Sequence, residues 1–233
     1  MAYAPSEPFI LTGGCFCKAI RYTINVPQRE DRPILPGAVD TRLPPLPGQH
    51  KHDDDRRSHP RVPTTFPLIG FDHCSDCRHA AGTVVQAWCI SPHSWVEWTV
   101  LPLHKNDAGE GDVAKPPIHL TTLEACASDG KSSVCHETYI SHYKSSRDVT
   151  RSFCSRCGTT LTYYFERPAS SPISPLIDIT MGSLDEESLE KIHPERQVWW
   201  DSGIGWMKGI MTWGDGGLMR HAKGTLTDEI ASG

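Results

Sequence analysis

Alternating hydrophobic and polar positions recur in several short segments of this chain. In "AIRYTINV", residues 19–26, every second side chain from Ile20 to Val26 is apolar and the residues between them are polar. A period of two is typical of a strand with one face buried. The segment therefore predicts a strand that begins directly after Cys15 and Cys17.

Similar patterns predict five more strands and little helix. A helical turn is expected over Arg78–Gly82, and Ser183 and Glu186 fit a capping box at the start of one short helix. These elements together predict a mainly β fold with a few short helices. The further predicted strands lie in "TVVQAWCI" (83–90), "WVEWTV" (95–100), "HETYISHY" (136–143), "TTLTYYFE" (159–166) and "PLIDITMGSL" (175–184).

Two long segments lack an apolar period. Residues 27–67 are rich in proline and charge, and residues 103–134 contain scattered glycine, proline, aspartate and lysine. Such segments bury too little apolar surface to offset the entropy of ordering. The sequence therefore predicts one domain over residues 1–233 that is interrupted by two irregular insertions.

Composition narrows the classes of function. The net charge of -5 gives no basic field for a phosphate backbone, so nucleic acid is not expected as a partner. The sequence has no apolar run of eighteen residues, and its N-terminus resembles neither a signal peptide nor a membrane anchor. These features predict a soluble cytoplasmic protein that does not bind membranes; its oligomeric state stays open.

Nine cysteines are many for a chain of 233 residues. In a reducing compartment, clustered cysteines are metal ligands or nucleophiles more often than disulfides. If three short-spaced pairs all bind metal, their six thiolates supply one closed zinc site and one site with open positions, as zinc catalysis requires. Equally, one site of four cysteines could form and leave a reduced pair. The pairs are Cys15 and Cys17, Cys74 and Cys77, and Cys154 and Cys157.

Four motifs in order resemble one known family. "GGCFCKAIRY", "HCSDCRHAAG", "RSFCSRCGTTL" and "DITMGSLDE" are similar to segments of the glutathione-dependent formaldehyde-activating enzymes, also called the CENP-V/GFA domain. The resemblance implies the Mss4-like fold, a zinc-binding β-sheet fold with metal sites at hairpin turns. It also implies that Cys15 and Cys17 join Cys154 and Cys157 in a structural zinc site.

The second zinc of that family is catalytic, and the resemblance implies Cys74 and Cys77 as two of its ligands. The family motif has a third cysteine where this sequence has Asp72. Aspartate binds zinc through a harder oxygen atom, which would leave the metal more Lewis acidic. The alternatives for the third position are Asp72 or water, then His73, and the site could also hold no metal.

The resemblance implies a zinc-dependent carbon–sulfur lyase that acts on a small molecule, a glutathione-like thiol adduct or another electrophile. Asp72 could be a metal ligand or a general base for the thiol, and these roles exclude each other. Retention of Cys74 and Cys77 favours the enzyme. The alternatives are a non-catalytic zinc-binding interaction module of the CENP-V/Mss4 type and a thiol pair with redox chemistry.

The remaining candidates have structural interpretations. Cys89 is expected to be a small buried hydrophobe, and Cys126 and Cys135 to be free thiols. The histidines are expected to be solvated or structural, although His79 could line a pocket. Four tryptophans could wall a ligand pocket, but packing of the core is the preferred interpretation; they are Trp199, Trp200, Trp206 and Trp213.

Overall fold

A computed structural model of the chain describes the residues 4–35, 41–42, 61–62, 65–103, 116–126, 137–166 and 175–218. The chain divides into two units. The first contains residues 1–71 and 87–197, and the second contains residues 72–86 and 198–233. Strands dominate the described residues, and the prediction of a mainly β protein is confirmed.

A four-stranded antiparallel sheet contains the first predicted strand. Along β2, side chains alternate between buried and partly exposed, as the period of two predicts. The paired register places Thr12 opposite Thr23 and Tyr22 opposite Trp98. In the order β1–β2–β7–β8, the strands span Phe9–Gly14, Ile20–Val26, Val96–Val100 and Ile118–Thr121.

A seven-stranded sheet holds the later strands. Its strand order is β13–β5–β6–β12–β11–β10–β9. Each neighbouring pair in the part β6–β12–β11–β10–β9 is antiparallel. A separate two-residue pair joins β3 (Thr41–Arg42) to β4 (Arg61–Val62). The strands of the large sheet, from β5 to β13 without β7 and β8, span Leu68–Asp72, Gln86–Pro92, Ile140–Ser146, Val149–Cys154, Thr160–Phe165, Leu176–Thr180 and Arg196–Val198.

Side chains from both sheets share the main core of the first unit. The largest of them is Trp98, which is almost fully buried and donates an indole hydrogen bond to the hydroxyl of Thr122 at 3.1 Å. Leu11 and Ile24 contribute from the small sheet, and Leu161 and Ile179 from the large one. The alternating pattern thus buries one face of each sheet, and the core fixes the turns that connect their strands.

The helices are short. The helical turn predicted after Cys77 is present within α1, and Gly82 ends that helix in a left-handed conformation with φ of 65°. Their spans are Ser75–Ala81 (α1), Thr122–Cys126 (α2), Glu186–Leu189 (α3) and Gly205–Trp213 (α4).

The predicted capping box at α3 is wrong, although the helix is present. Asp185, not Ser183, precedes the first helical residue. The Ser183 hydroxyl donates to the carbonyl of Thr180 at 2.7 Å and meets the phenol of Tyr22 at 2.7 Å, so it is engaged away from the helix. Asp185 instead pairs with the guanidinium of Arg21, which ties the start of α3 to β2.

Part of the second predicted insertion is ordered. Both β8 and α2 lie within residues 103–134, so the interpretation of that whole stretch as irregular is wrong for residues 118–126. Much of both insertions lies outside the described residues. The single-domain organisation stays a prediction. Over the part of the chain that the structure describes, no helix is long and apolar enough to cross a membrane.

Candidate metal centres

Two hairpin turns carry the cysteines of the first group. Cys15 and Cys17 lie between β1 and β2, whereas Cys154 ends β10 and Cys157 follows in the turn to β11. All four belong to the first unit of the chain. The fold therefore brings together two pairs that are 137 residues apart in sequence. We call Cys15, Cys17, Cys154 and Cys157 the four-cysteine group.

Backbone hydrogen bonds and left-handed residues shape both turns. In the first turn, the N–H of Cys15 donates to the carbonyl of the first β2 residue at 2.9 Å, and Lys18 has φ of 62°. In the second, the N–H of Cys154 donates to the carbonyl of Thr159 at 3.0 Å, and Gly158 has φ of 76°. Glycine reaches this conformation without steric cost, which explains its place after the second pair.

The sulfur atoms of the four-cysteine group fit a tetrahedral ion. All four lie within 4.8 Å of one another. The sulfur of Cys17 is 3.5 Å from that of Cys15 and 3.7 Å from that of Cys154. Metal–sulfur bonds of about 2.3 Å in a tetrahedron separate the sulfurs by roughly 3.8 Å. These cysteines can therefore hold a metal ion.

The thiols of this group differ in acidity. Burial raises the pKa of Cys154 to about 12. Burial alone would also raise the pKa of Cys157, but hydrogen bonds from the hydroxyl and backbone N–H of Thr159 and from the backbone N–H of Cys17 outweigh it and lower that pKa to about 6. These hydrogen bonds therefore favour the thiolate of Cys157, and thiolate is the form that binds metal.

Thr159 is a supporting residue that the sequence analysis missed. Its hydroxyl lies 3.2 Å from the sulfur of Cys157 and accepts a hydrogen bond from the N–H of Phe16 at 3.1 Å. One side chain thus links both cysteine turns. The threonine directly after "CSRCG" is the sequence signal that could have identified it.

A second group forms where β5 meets α1. Asp72 ends β5, Cys74 precedes the first helical residue, and Cys77 lies within α1. Their ligand atoms, one from each residue, lie within 4.8 Å of one another, and Asp72 and Cys77 are buried. All three belong to the second unit. We call them the Asp72 group; it contains all three residues that the sequence analysis proposed for catalysis.

Local geometry explains how these three side chains meet. The backbone N–H of Cys74 donates to Oδ1 of Asp72 at 2.8 Å, which orients the carboxylate at the start of the helix. Residues 74 and 77 are three apart, a spacing that places side chains on the same side of a helix. One strand end and one helical turn therefore suffice to build the group.

His73 takes another direction. Its imidazole is fully buried and contacts the ring of Trp200 edge-on, with ring centroids 5.0 Å apart. Its backbone N–H donates to the carbonyl of Val198 at 3.0 Å. His73 is not among the residues whose ligand atoms cluster in the Asp72 group. Of the two side chains weighed for the third position, the geometry favours Asp72.

The expectation that most C-terminal tryptophans pack in the core is wrong. Trp199, Trp206 and Trp213 are 67%, 58% and 87% exposed, and Trp200 is partly buried. Two other tryptophans, Trp88 and Trp98, are buried instead. The alternation of "WVEWTV" identifies Trp98 as inward-facing, whereas the C-terminal segment has no period from which exposure can be predicted.

The other candidates are placed as follows. Cys89 is fully buried and burial raises its pKa to about 12, which confirms its interpretation as a small hydrophobe. Cys126 is buried, close to the hydroxyl of Ser152, and in no disulfide. His79 is exposed on α1, and His142 is a structural histidine that contacts Ser152 at 3.0 Å. Outside the described residues lie Cys135, His136 and the histidines of the first insertion, His50, His52 and His59.

One family model matches part of the chain. Residues 120–202 match the model of the glutathione-dependent formaldehyde-activating enzymes. This segment carries a formaldehyde-activating-enzyme domain signature. The match supports the resemblance inferred from the motifs, of which "RSFCSRCGTTL" and "DITMGSLDE" lie within the matched segment, and the mainly β architecture is compatible with the Mss4-like fold that it implies. No curated protein matches the chain.

The matched segment covers only part of the two groups. It includes Cys154 and Cys157 but ends after Ser202 and begins after the Asp72 group. The formaldehyde-activating-enzyme match therefore supports half of the four-cysteine group directly. The Asp72 group lies outside the matched segment, so the evidence for it is the clustering of its ligand atoms in the fold.

Proposed function

We propose that this protein is a zinc-dependent enzyme of the carbon–sulfur lyase type, acting on adducts between a thiol and a small electrophile such as formaldehyde. The family match over residues 120–202 supports the reaction class. The observation that carries the proposal is the Asp72 group, in which one carboxylate and two thiol groups converge. A group of three ligands leaves one tetrahedral position for substrate, whereas four cysteines close a site.

In this proposal the two metal groups have different tasks. The four-cysteine group binds a structural zinc ion that joins the two hairpin turns. Asp72, Cys74 and Cys77 hold the second ion as ligands, with Asp72 fixed by the backbone N–H of Cys74. When bound, this second zinc ion would supply Lewis acidity and a coordination position for a thiolate or a carbonyl oxygen.

The proposed reaction balances without a redox partner. In the forming direction, the sulfur of the thiol adds to the carbonyl carbon, a carbon–sulfur bond forms, and the thiol proton ends on the carbonyl oxygen as a hydroxyl. The reverse direction breaks the same bond and returns thiol and aldehyde. Cys74 and Cys77 act here as ligands and not as nucleophiles, since both thiolates are committed to the metal. Asp72 is likewise a ligand and not the general base.

Exchange spectroscopy tests the proposal directly. Formaldehyde and a thiol, either glutathione or phenylmethanethiol, are mixed with the zinc-loaded protein, and NMR measures the rate at which free and hydroxymethylated thiol interconvert. We expect the protein to accelerate exchange for at least one thiol and Asp72→Asn or Cys74→Ser to abolish the acceleration. His79→Ala, an exposed change on α1, is the control and should retain it.

Two results would contradict the proposal. The first is a zinc-loaded protein that leaves the exchange rate of both thiols at the uncatalysed value. The second is acceleration that survives in Asp72→Asn and Cys74→Ser, because the reaction would then occur elsewhere. A protein that holds one zinc ion and accelerates nothing would favour the non-catalytic interaction module.

A further inference from the structure

The backbone of Trp199 adopts a conformation that bulky residues rarely adopt. Its φ is 55° and its ψ is 35°, in the left-handed region. Left-handed backbone at a large side chain is sterically costly and persists only where the surroundings impose it. The indole is 67% exposed, so burial of the Trp199 side chain does not compensate for this conformation.

Residues on both sides of Trp199 contact His73. The carbonyl of Val198 accepts the backbone hydrogen bond of His73 at 3.0 Å. The ring of Trp200 contacts the imidazole of His73, with ring centroids 5.0 Å apart. His73 stands between Asp72 and Cys74 in the sequence, so these contacts hold the backbone of Trp199 beside the Asp72 group.

The chain after Trp199 is tightly constrained too. The N–H of Ser202 donates to the carbonyl of Trp199 at 3.0 Å, which closes a short helical turn. A Cβ atom at Gly203 would lie 2.7 Å from Nδ1 of His73, so only glycine permits this approach. Lys208 lies 5.3 Å from the centroid of the Trp200 ring. The backbone of the turn that carries Trp199 is therefore closely packed against His73.

The described residues of the second unit carry little basic charge that could attract an anionic ligand. Among the described residues of the second unit, acidic side chains outnumber lysine and arginine. The acidic residues are Asp72, Asp76, Asp201 and Asp215, and the basic ones are Arg78 and Lys208. Glutathione carries two carboxylates, whereas an apolar thiol carries none. An exposed indole face is suited to apolar and aromatic groups, which stack on it.

We infer that Trp199 is a specificity-determining residue of the Asp72 group and that its indole contacts the organic part of a substrate thiol that is apolar or aromatic, not the charged tripeptide glutathione. This inference rests on the proposed function, since it assumes that a substrate thiol binds at the Asp72 group. It goes beyond that function by naming the substrate class and a residue that selects it.

Binding of two probe thiols to the zinc-loaded full chain tests the inference. Calorimetry measures the dissociation constants of phenylmethanethiol and glutathione for the unaltered protein, Trp199→Gly, Trp199→Phe and Trp213→Ala. Glycine removes the backbone strain of the left-handed conformation, which stabilises the fold, but it also raises the conformational entropy of the unfolded chain, which destabilises it. We therefore expect the thermal midpoint of Trp199→Gly to lie within about 2 °C of that of the unaltered protein. Trp213→Ala is the matched control, because Trp213 is still more exposed.

We expect the unaltered protein to bind phenylmethanethiol more tightly than glutathione. Loss of one aromatic contact should weaken phenylmethanethiol about tenfold in Trp199→Gly and leave the glutathione affinity unchanged. Trp199→Phe should restore most of the loss, and Trp213→Ala should change neither affinity. A purely structural role of Trp199 would weaken both thiols equally.

Two outcomes would overturn the inference, and they are distinguishable. Equal weakening of both thiols in Trp199→Gly, or no change in either, would refute the role of Trp199 and leave the proposed function standing. Failure of the unaltered zinc-loaded protein to bind any thiol would refute the proposed function, and the inference with it.

Discussion

Loss of one cysteine from the four-cysteine group should destabilise the whole first unit. Cys17 is the best position to change, because it is only partly buried and its replacement by serine removes little packing. A bound metal ties Cys17 to Cys154, 137 residues later in the chain. In the chain-entropy treatment of cross-links, closing a loop of that length restricts the unfolded chain by roughly 5 kcal/mol at 25 °C.

This magnitude is large beside the total stability of an ordinary domain, about 5–15 kcal/mol. For a chain of this size it corresponds to a fall in the thermal midpoint of roughly 10–20 °C in Cys17→Ser, provided that the variant loses the ion and with it the tie between the two hairpin turns. Differential scanning calorimetry on protein purified with zinc, with metal content measured on the same sample, gives both quantities. An excess of chelator removes both ions, so it should lower the midpoint of the unaltered protein by more than Cys17→Ser does.

The matched control is Cys74→Ser, which removes a ligand from the Asp72 group. That group closes a loop of only six residues, from Asp72 to Cys77. The same treatment gives roughly 2 kcal/mol, less than half of the effect at Cys17. If Cys17→Ser loses one zinc ion and its midpoint falls by less than that of Cys74→Ser, the long-range cross-link is not what stabilises the fold.

Three further changes test other parts of the account. Thr159→Val removes the hydroxyl beside the sulfur of Cys157 and should weaken zinc binding about 10–100-fold, measured by competition with a chelator; unchanged affinity would contradict this role. Asp185→Asn loses its pairing with Arg21 and should cost about 1 kcal/mol in urea unfolding at pH 7. Because Arg21 lowers the pKa of Asp185, this difference should be constant well above about pH 4 and should decline as pH falls through the folded-state value; a difference that stays the same as pH falls below about 4 would argue against the ion pair. Gly13→Ala would place a Cβ atom 2.3 Å from a buried tyrosine hydroxyl and should destabilise by about 1–3 kcal/mol, so a variant as stable as the original would contradict the close packing there.

Much of the sheet structure was predictable because burial on one face leaves a period of two in the sequence. The "AIRYTINV" segment predicts β2 to within one residue, and "TTLTYYFE" predicts β11 almost as closely. Short elements with no period of their own were missed. Strand β8 has no buried residue along its length, and its strand conformation is stabilised by antiparallel pairing with β7.

The residues that form the two candidate groups were predictable from the sequence, and the surroundings of those groups were not. Cysteine spacing marks the three pairs, since metal chemistry restricts which residues and separations can bind. The exposure of Trp199 could not be predicted, because it depends on a backbone held by His73, which is distant in sequence. The same is true of Asp185, whose distant partner Arg21 moves the helix start away from Ser183.

We propose that the chain holds two metal ions, one in the four-cysteine group and one in the Asp72 group. Native mass spectrometry of the zinc-loaded protein counts the ions on each chain. We expect two ions in the unaltered protein and one in Asp72→Ala. One ion in the unaltered protein, retained unchanged in Asp72→Ala, would contradict this proposal.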